Sequence, residues 1–449
     1  MDNLKIKLPP HISKIIDILN SNGHKAYIVG GCVRDSFLNR NPYDWDVTTS
    51  ALPEQTIECF KDYKTVLTGL KHGTVCVVID KNPVEITTFR TEGSYCDNRH
   101  PDKVVFIDDI KEDLARRDFT INSIAYNDNE GIVDPFGGID DIKNKIIRCV
   151  GDAKERFDED ALRIIRAIRF SSVLDFEIEE KTSDAIHDKK LLIKNVSCER
   201  IRLELEKLLV GKNAFDVLQK YSDIIFTIIP ELKPTKETSQ NCKYHIYNVW
   251  DHICHSVKEV EADKELRLVM LLHDIAKPVA KTTDDNGVDH FKTHAKKSGE
   301  MAKAILKNLK FDNKTSYEVV NLIIHHDDRL YNNIDELPLY ISEFGYDFLR
   351  KLDKISRADI KGQNRKYLDR ISLCDEFILK LNELEEKNIC VSIKDLKING
   401  DDLKQLGYSG KEIGEKLDCL LKKVLKNEIK NEKEILLENA KKVWLRIQP

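Results

Sequence analysis

Two hydrophobic periods divide this chain. Up to about residue 150, short apolar runs at residues 27–29, 74–79 and 84–89 are cut by Gly30-Gly31, His72-Gly73 and Asn82-Pro83. Such runs between turn residues predict strands. Helical spacing intervenes at residues 11–20 and 53–60, so the whole predicts an α/β domain. From about residue 153 the apolar positions recur at three- and four-residue intervals. Examples are Ala161, Leu162, Ile164, Ile165 and Ile168, then Ile201, Leu205, Leu208 and Leu209, then Leu417, Leu420, Leu421, Val424 and Leu425. The remainder is predicted to be mostly α-helical.

Length and composition narrow the class. At about 150 residues per domain, 449 residues make about three domains. With 41% hydrophobic and 33% charged residues, the chain is globular and neither disordered nor low in complexity. No apolar run approaches the ~18 residues of a membrane span, and the opening MDNLKIKLPP lacks the apolar core of a signal peptide. Eleven scattered cysteines without a C-x-x-C argue against a disulfide scaffold. A cytoplasmic, reduced protein is expected. The net charge of −5 favours no nucleic-acid partner in bulk, but the field that matters is local. The lysine-rich stretch 422–442 is expected to be a solvated helix face.

Candidate chemistry begins at Gly30-Gly31-Cys32-Val33-Arg34-Asp35. A glycine pair after a strand lets backbone N–H groups approach a phosphate, and Arg34 adds a forked donor at the head of the next helix. Asp44-Trp45-Asp46 follows. On a strand the two carboxylates would share a face, and two adjacent like charges call for a cation such as Mg²⁺, which accepts carboxylate and phosphate oxygens together. Glu85, on a later strand, is a candidate third carboxylate. In Asp113-Leu114-Ala115-Arg116-Arg117-Asp118, a nearby triphosphate would make Arg117 a clamp and Asp118 an acceptor for a ribose hydroxyl. Asp160, Arg163, Arg166 and Arg169 follow at three-residue steps within an expected helix, Asp160 and Arg163 being neighbours on one face. Each piece alone is equally a turn, a polar loop or a solvated face.

Taken together, in this order, the pieces resemble the bacterial class II CCA tRNA nucleotidyltransferases and their poly(A) polymerase relatives. GGCVRD, DWD, TTFRTEGSYCDNRHPDKVVF, DLARRDFTIN, EDALRIIRAIRF and CERIRLELEKLL carry the likeness over residues 28–210, and INGDDLKQLGYSGKEIGEKL is similar to the family's tail. The resemblance implies a multidomain α+β protein. Its parts would be a nucleotidyltransferase head with a polymerase-β-like mixed sheet (1–150), a helical neck and body (151–240), a histidine–aspartate (HD) metal domain (241–370) and a helical, tRNA-binding tail (371–449). It implies that Asp44 and Asp46 hold catalytic metal, and that Gly30, Gly31, Arg34, Arg117, Asp118, Arg166 and Arg169 hold the incoming nucleotide. Asp160 and Arg163 would read the base. Cytosine and adenine both offer an amino donor beside a ring acceptor, which a carboxylate and a guanidinium complement; guanine and uracil reverse the order. The implied partners are tRNA, CTP and ATP, with neither DNA nor a membrane. Oligomeric state is not legible.

Eight of the 13 histidines fall between residues 245 and 326. By the same resemblance, His252, His273, Asp274 and Asp359 match an H…HD…D ligand order, with His294 and His325 or His326 as candidates for a second metal position. Imidazole and carboxylate suit Mn, Ni, Co, Fe or Zn and hydrolysis of phosphate esters. His255 and His290 are expected to be ordinary surface or core residues. The alternatives are a poly(A) polymerase or an A-adding partial enzyme and, in another class, a metal-dependent phosphohydrolase with an RNA-binding N-terminal domain. A CC-only enzyme is disfavoured by the loop TEGSYCDNRHPD.

Overall fold

The computed structural model describes residues 5–93 and 104–445. Of the TEGSYCDNRHPD loop, residues 94–102 lie outside those described. The chain forms two compact units, one from the chain up to Glu231 with Asn308–Lys310, the other from Leu232–Lys307 and from Phe311 onward.

The first unit opens with helix α1 (Pro10–Ser21), where a proline preset to helical φ starts the turn and Ile12, Ile15, Ile16 and Leu19 form the buried face. Its strands are β1 (Ala26–Val29), β2 (Val47–Thr49), β3 (Lys64–Val66), β4 (Thr74–Ile79) and β5 (Asn82–Thr88). A ribbon of β6 (Arg90–Glu92) and β7 (Val104–Phe106) stands apart, β8 (Ala125–Asn127) and β9 (Gly131–Val133) follow, and β10 (Ile146–Ile147) pairs in parallel with β11 (Glu177–Ile178). The main sheet runs β3-β4-β5-β2-β1-β8-β9. It is mixed: β2 and β5 are parallel, and the other neighbours are antiparallel. All four residues of β1 are buried, as a strand covered on both faces requires.

Helices α2 (Gly31–Phe37), α3 (Pro53–Cys59), α4 (Ile110–Ala115) and α5 (Gly138–Asn144) belong to this head. Beyond it come α6 (Ala153–Glu159), α7 (Leu162–Leu174), α8 (Glu180–Lys189), α9 (Cys198–Leu209), α10 (Ala214–Lys220) and α11 (Ser222–Ile228). Asp160 is not inside a helix, as the spacing predicts, but in the extended break between α6 and α7, with φ −135° and ψ 103°.

The second unit is helical except for one two-residue ribbon at Thr282–Thr283 and Asp289–His290. Its helices are α12 (Val249–Glu259), α13 (Lys264–Leu272), α14 (Lys277–Ala280), α15 (His294–Asn308) and α16 (Asn313–His325), followed by α17 (Leu337–Phe344), α18 (Tyr346–Lys361), α19 (Ile371–Glu386), α20 (Gly400–Gln405), α21 (Lys411–Leu425) and α22 (Lys433–Leu445). Every residue of α13 from Leu266 to Leu272 is buried, so the His273-Asp274 pair at its end is delivered into the interior. A small tail core gathers Leu403, Tyr408, Leu417, Leu420, Leu421 and Leu436. No helix among the described residues is long and apolar enough to cross a membrane.

Candidate functional site

In the first unit, β1 runs into Gly30, whose φ of 81° suits glycine alone. A Cβ there would stand 3.3 Å from Arg117 Nη1, so the bare backbone admits that guanidinium. Asp44 and Asp46 precede β2 and are not on it, because the strand begins at Val47; Asp46 is tied to β1 by its carbonyl, which accepts from the Val29 amide at 3.1 Å. Both side chains are exposed, as is Glu85. The parallel pairing of Val47 with Ile86 sets Glu85 beside Asp46. Asp46 is crowded although solvent reaches it. Partial desolvation pushes its carboxyl above the usual range; Arg117 pulls it down, and the charges of Glu85 and Asp44 add to the rise. Three carboxylates sharing one field fit a divalent cation.

Behind them runs a continuous chain of paired side chains. Arg34 donates to Asn122 Oδ1 at 2.6 Å, and Asn122 donates to Asp118 Oδ1 at 3.0 Å. Asp118 Oδ2 takes two bonds from Arg166, at 2.9 and 2.6 Å. Arg169 ends the chain on Glu204 at 2.8 Å. Phe170 lies under three guanidiniums, with Arg34, Arg166 and Arg169 at 5.1, 5.3 and 3.6 Å from its centroid. Burial works to raise the Asp118 carboxyl, but Arg166 and Asn122 hold it at about 2. Its oxygens also accept from the Phe119 amide. In this conformation Asp118 is engaged by Arg166, Asn122 and the Phe119 amide. Arg117 and Arg116 both pair with the buried Asp113.

The expected base-reading pair is separated in this conformation. Asp160 is held by Arg200, at 3.3 Å on Oδ1 and 2.8 Å on Oδ2, and also caps the Leu162 amide. Arg163 is buried and donates to Glu159 at 2.6 Å and to the carbonyls of Arg156 and Arg116. The sequence reading missed Glu204 and Arg200. Glu204 was detectable: it falls on the apolar face of α9 with Ile201, Leu205 and Leu208, where a charge needs a partner.

The second unit builds a different kind of centre. Four imidazoles place Nδ1 against backbone carbonyls: His252 on Gly362 at 3.1 Å, His273 on Met270 at 2.7 Å, His294 on Phe291 at 2.8 Å and His326 on Ile323 at 2.6 Å. A carbonyl only accepts, so each Nδ1 carries the proton and each Nε2 turns inward. There Nε2 of His252 lies 3.3 Å from that of His273, and Nε2 of His294 lies 3.2 Å from that of His326. Asp274 joins both pairs: Oδ2 is 3.3 Å from His252 and 3.2 Å from His273, and Oδ1 is 3.2 Å from His294. Asp359 Oδ1 stands 2.9 Å from His252. With every ring neutral the facing lone pairs would repel, and no aligned donor satisfies either buried oxygen of Asp274, although Lys277 Nζ pairs with Oδ2 at 2.6 Å. Despite burial, Asp274 and Asp359 push the His273 imidazole up to about 9. The cluster calls for positive charge at its centre. Among the described residues, only here do three potential ligand atoms come within 4.8 Å of one another, once around His252, His273 and Asp274 and once around Asp274, His294 and His326.

His326, and not His325, completes the second group. The two differ by about 100° around the helix axis; His325 points away, with Nδ1 on Asp328 at 2.5 Å and its ring against Phe344. His255 stacks on Tyr247, and His290 pairs with Asp284 at the surface. Lys277 and Gln363 went unnoticed in the sequence. Gln363 donates to Asp359 Oδ2 at 2.8 Å.

Comparison with known proteins bears on both units. Residues 26–148 match the family profile "Poly A polymerase head domain", residues 175–234 "Probable RNA and SrmB- binding site of polymerase A", and residues 282–440 a tRNA nucleotidyltransferase domain 2 profile. The CCA-adding enzyme of Ligilactobacillus salivarius is 36% identical over 458 aligned positions, spanning 98% of this chain and 97% of that protein. That of Lactobacillus helveticus is 47% identical over 238, spanning 52% of this chain and 59% of that protein. Among solved structures, the Bacillus stearothermophilus CCA-adding enzyme in complex with CTP superposes with a TM-score of 0.73 at 29% identity, covering 98% of this chain and 99% of that one. With an α+β head on a helical remainder and a relative matched almost end to end, this chain belongs to the CCA-adding enzyme family.

Proposed function

We propose that the first unit builds the 3′-terminal CCA of tRNA from CTP and ATP, with Asp44, Asp46 and Glu85 as its reacting edge and the Arg34–Arg169 chain as its nucleotide cradle. CCA-adding enzymes are metal dependent. Divalent metal held by Asp44 and Asp46, Mg²⁺ by its preference for carboxylate and phosphate oxygens, would activate the RNA 3′-hydroxyl and neutralise departing pyrophosphate. The chain's own residues do the positioning. Arg34, Arg117 and Arg166 offer charge to the triphosphate, while Asn122 seats Arg34, Asp113 seats Arg117, and Asp118 with Glu204 seats Arg166. The RNA 3′-oxygen forms a bond to the α-phosphorus as the bond to pyrophosphate breaks.

Asp160 and Arg163 remain the proposed base readers, with one step added: Arg163 releases Glu159 to serve the ring nitrogen. The four-part division of the chain (1–150, 151–240, 241–370 and 371–449) is kept as part of this reading. The observation that carries it is the unbroken Arg34–Asn122–Asp118–Arg166 chain behind three clustered carboxylates. The test offers tRNA lacking its last three nucleotides with CTP, with ATP and with both. Two cytidylates with CTP and a completed CCA with both are expected; a long A-tract with ATP alone would identify a poly(A) polymerase, and extension by a single A only on tRNA already ending in CC an A-adding enzyme.

A second reading concerns the other unit and rests on its four inward Nε2 atoms. We propose a two-metal phosphoesterase centre held by His252, His273, Asp274 and Asp359 on one side and by Asp274, His294 and His326 on the other. Bound Mn, Ni, Co, Fe or Zn would supply Lewis acidity toward a phosphate ester. Gln363 and the four backbone carbonyls orient the ligands.

A further inference from the structure

The loop that joins α2 to β2 in the first unit carries two side chains that neither centre uses. It is fastened at both ends. Asn39, at φ 54°, turns the chain out of α2, and the Arg40 amide donates to the Asp35 carbonyl at 2.8 Å, a closure that suits asparagine in the left-handed position. At the far end the Asp46 carbonyl accepts from the Val29 amide at 3.1 Å. Between them Pro42, with φ locked by its ring, stiffens the span.

This fastened loop holds Tyr43 at 97% exposure, the highest of any large apolar side chain among the described residues. Arg40 is exposed as well, and its guanidinium has neither an ion pair nor a hydrogen bond among the described residues. Arg34, Arg117, Arg166 and Arg169, by contrast, are all paired. A ring and a cation that proteins leave open in this way are the two elements that grip single-stranded nucleic acid: the ring stacks on a base and the cation meets a phosphate. Place in the chain selects the ligand. Tyr43 is bonded directly to Asp44, and at 3.80 Å between consecutive Cα atoms it stands at most ~11 Å from Asp46, Cα to Cα. An RNA whose 3′-hydroxyl meets those carboxylates brings its last nucleotides within that radius.

We infer that Tyr43 and Arg40 hold the 3′ end of the acceptor RNA, Tyr43 by stacking on one of its last bases and Arg40 by pairing with a backbone phosphate. The inference rests on the reading of the first unit as the nucleotidyl-transfer site. Successive additions bring a different terminal base to the same place. A hydrogen-bonding reader would favour one of those ends, whereas every base has a π face and every nucleotide a phosphate. The grip is therefore equal at each step, and the choice of base stays with the incoming nucleotide.

The test uses the full chain with Mg²⁺, CTP and ATP, and tRNA lacking its last three nucleotides with 2-aminopurine as its terminal base. The readouts are the emission of that base on binding, KM for tRNA and for CTP, and the salt dependence of tRNA affinity. Wild type is expected to change the emission on binding. Tyr43→Ala should lose most of that change and raise KM for tRNA at least about fivefold at every addition, with KM for CTP within twofold. Tyr43→Phe and Tyr43→Trp should restore both, and Tyr43→Leu, apolar but without a π face, should not. Arg40→Ala should weaken tRNA binding several-fold and flatten the slope of log affinity against log salt by about 0.7, the share of one phosphate on a single strand; Arg40→Lys should keep the slope. Both side chains are exposed, so folding survives each change. Tyr43→Ala with tRNA KM within twofold and the emission change intact, Tyr43→Leu equal to wild type, or Arg40→Ala with an unchanged slope would overturn the inference. A wild type that changes the emission and extends no tRNA would overturn the nucleotidyl-transfer reading and leave the RNA grip standing.

Discussion

The two proposed metal centres are built in opposite ways. In the first unit the carboxylates are exposed, they stand on a loop and a neighbouring strand, and partial desolvation, with a smaller push from Glu85 and Asp44, lifts Asp46. In the second, His252 and His273 are 0% exposed, every imidazole is pinned by a backbone carbonyl, and Asp274 bridges two ligand groups. An open set of hard oxygens suits an ion that arrives with its nucleotide and leaves with pyrophosphate. A closed set of imidazoles suits an ion that stays. The difference teaches that the two centres should fail separately.

The largest effect expected is at the open centre. Asp44→Ala or Asp46→Ala should cut CMP and AMP addition by ~10³-fold or more, since several kcal/mol of charge stabilisation is lost. Metal retained by the second unit should not change. Gel analysis of product length checks the first statement and elemental mass spectrometry the second; addition persisting in the double variant would remove these carboxylates from the site.

Next comes the closed centre. Asp274→Asn removes the shared ligand and should lower metal affinity by at least ~10²-fold, while CCA addition stays within about threefold. Metal titration and the tRNA assay check the two halves. Equal loss of both would show that the centres are not independent.

Between them in kind is Asp118, paired with Arg166 and Asn122. Its folded carboxyl sits at about 2 against an ordinary 3.8. A depressed carboxylate contributes stability above the unfolded value and loses it as pH falls, so its share, about 2 kcal/mol, should disappear between pH 4 and 2. Asp118→Asn should remove that step from the acid-unfolding profile and slow addition by ~10²-fold through misplaced Arg166 and Arg34. An unchanged acid profile would contradict the pairing.

The smallest effect is on choice and not on rate. Asp160→Ala or Arg163→Ala should narrow the preference for CTP over UTP by roughly tenfold, as one mispaired buried group costs ~1–3 kcal/mol. Competition between labelled CTP and UTP checks this, and a uniform slowing with selectivity intact would make the pair structural.

Strand and helix periods made the mixed head and the helical remainder legible, because burial imposes them directly on residue order. The candidate ligands were legible where chemistry needs a rare residue type in a fixed order: Gly30, Asp44, Asp46, His273 and Asp274. What escaped was partnership. Adjacent His325 and His326 carry the same chemistry, and only the phase of α16 decides which one faces the cluster. In the ligand-free conformation Asp118 and Arg163 pair with Arg166 and Glu159, neighbours that residue order does not announce. Glu204, Lys277 and Gln363 act through neighbours 35, 3 and 4 positions away. Contacts such as Arg169–Glu204 are set by the third dimension, and local periodicity does not encode them.

The separation of the two centres is tested most directly by dialysing Asp274→Asn and Asp46→Ala chains into Mg²⁺ alone, then measuring retained transition metal and CCA addition on the same samples. The account predicts opposite patterns: Asp274→Asn loses its metal and completes CCA, whereas Asp46→Ala keeps its metal and adds nothing. Parallel loss of both properties in either chain would contradict it.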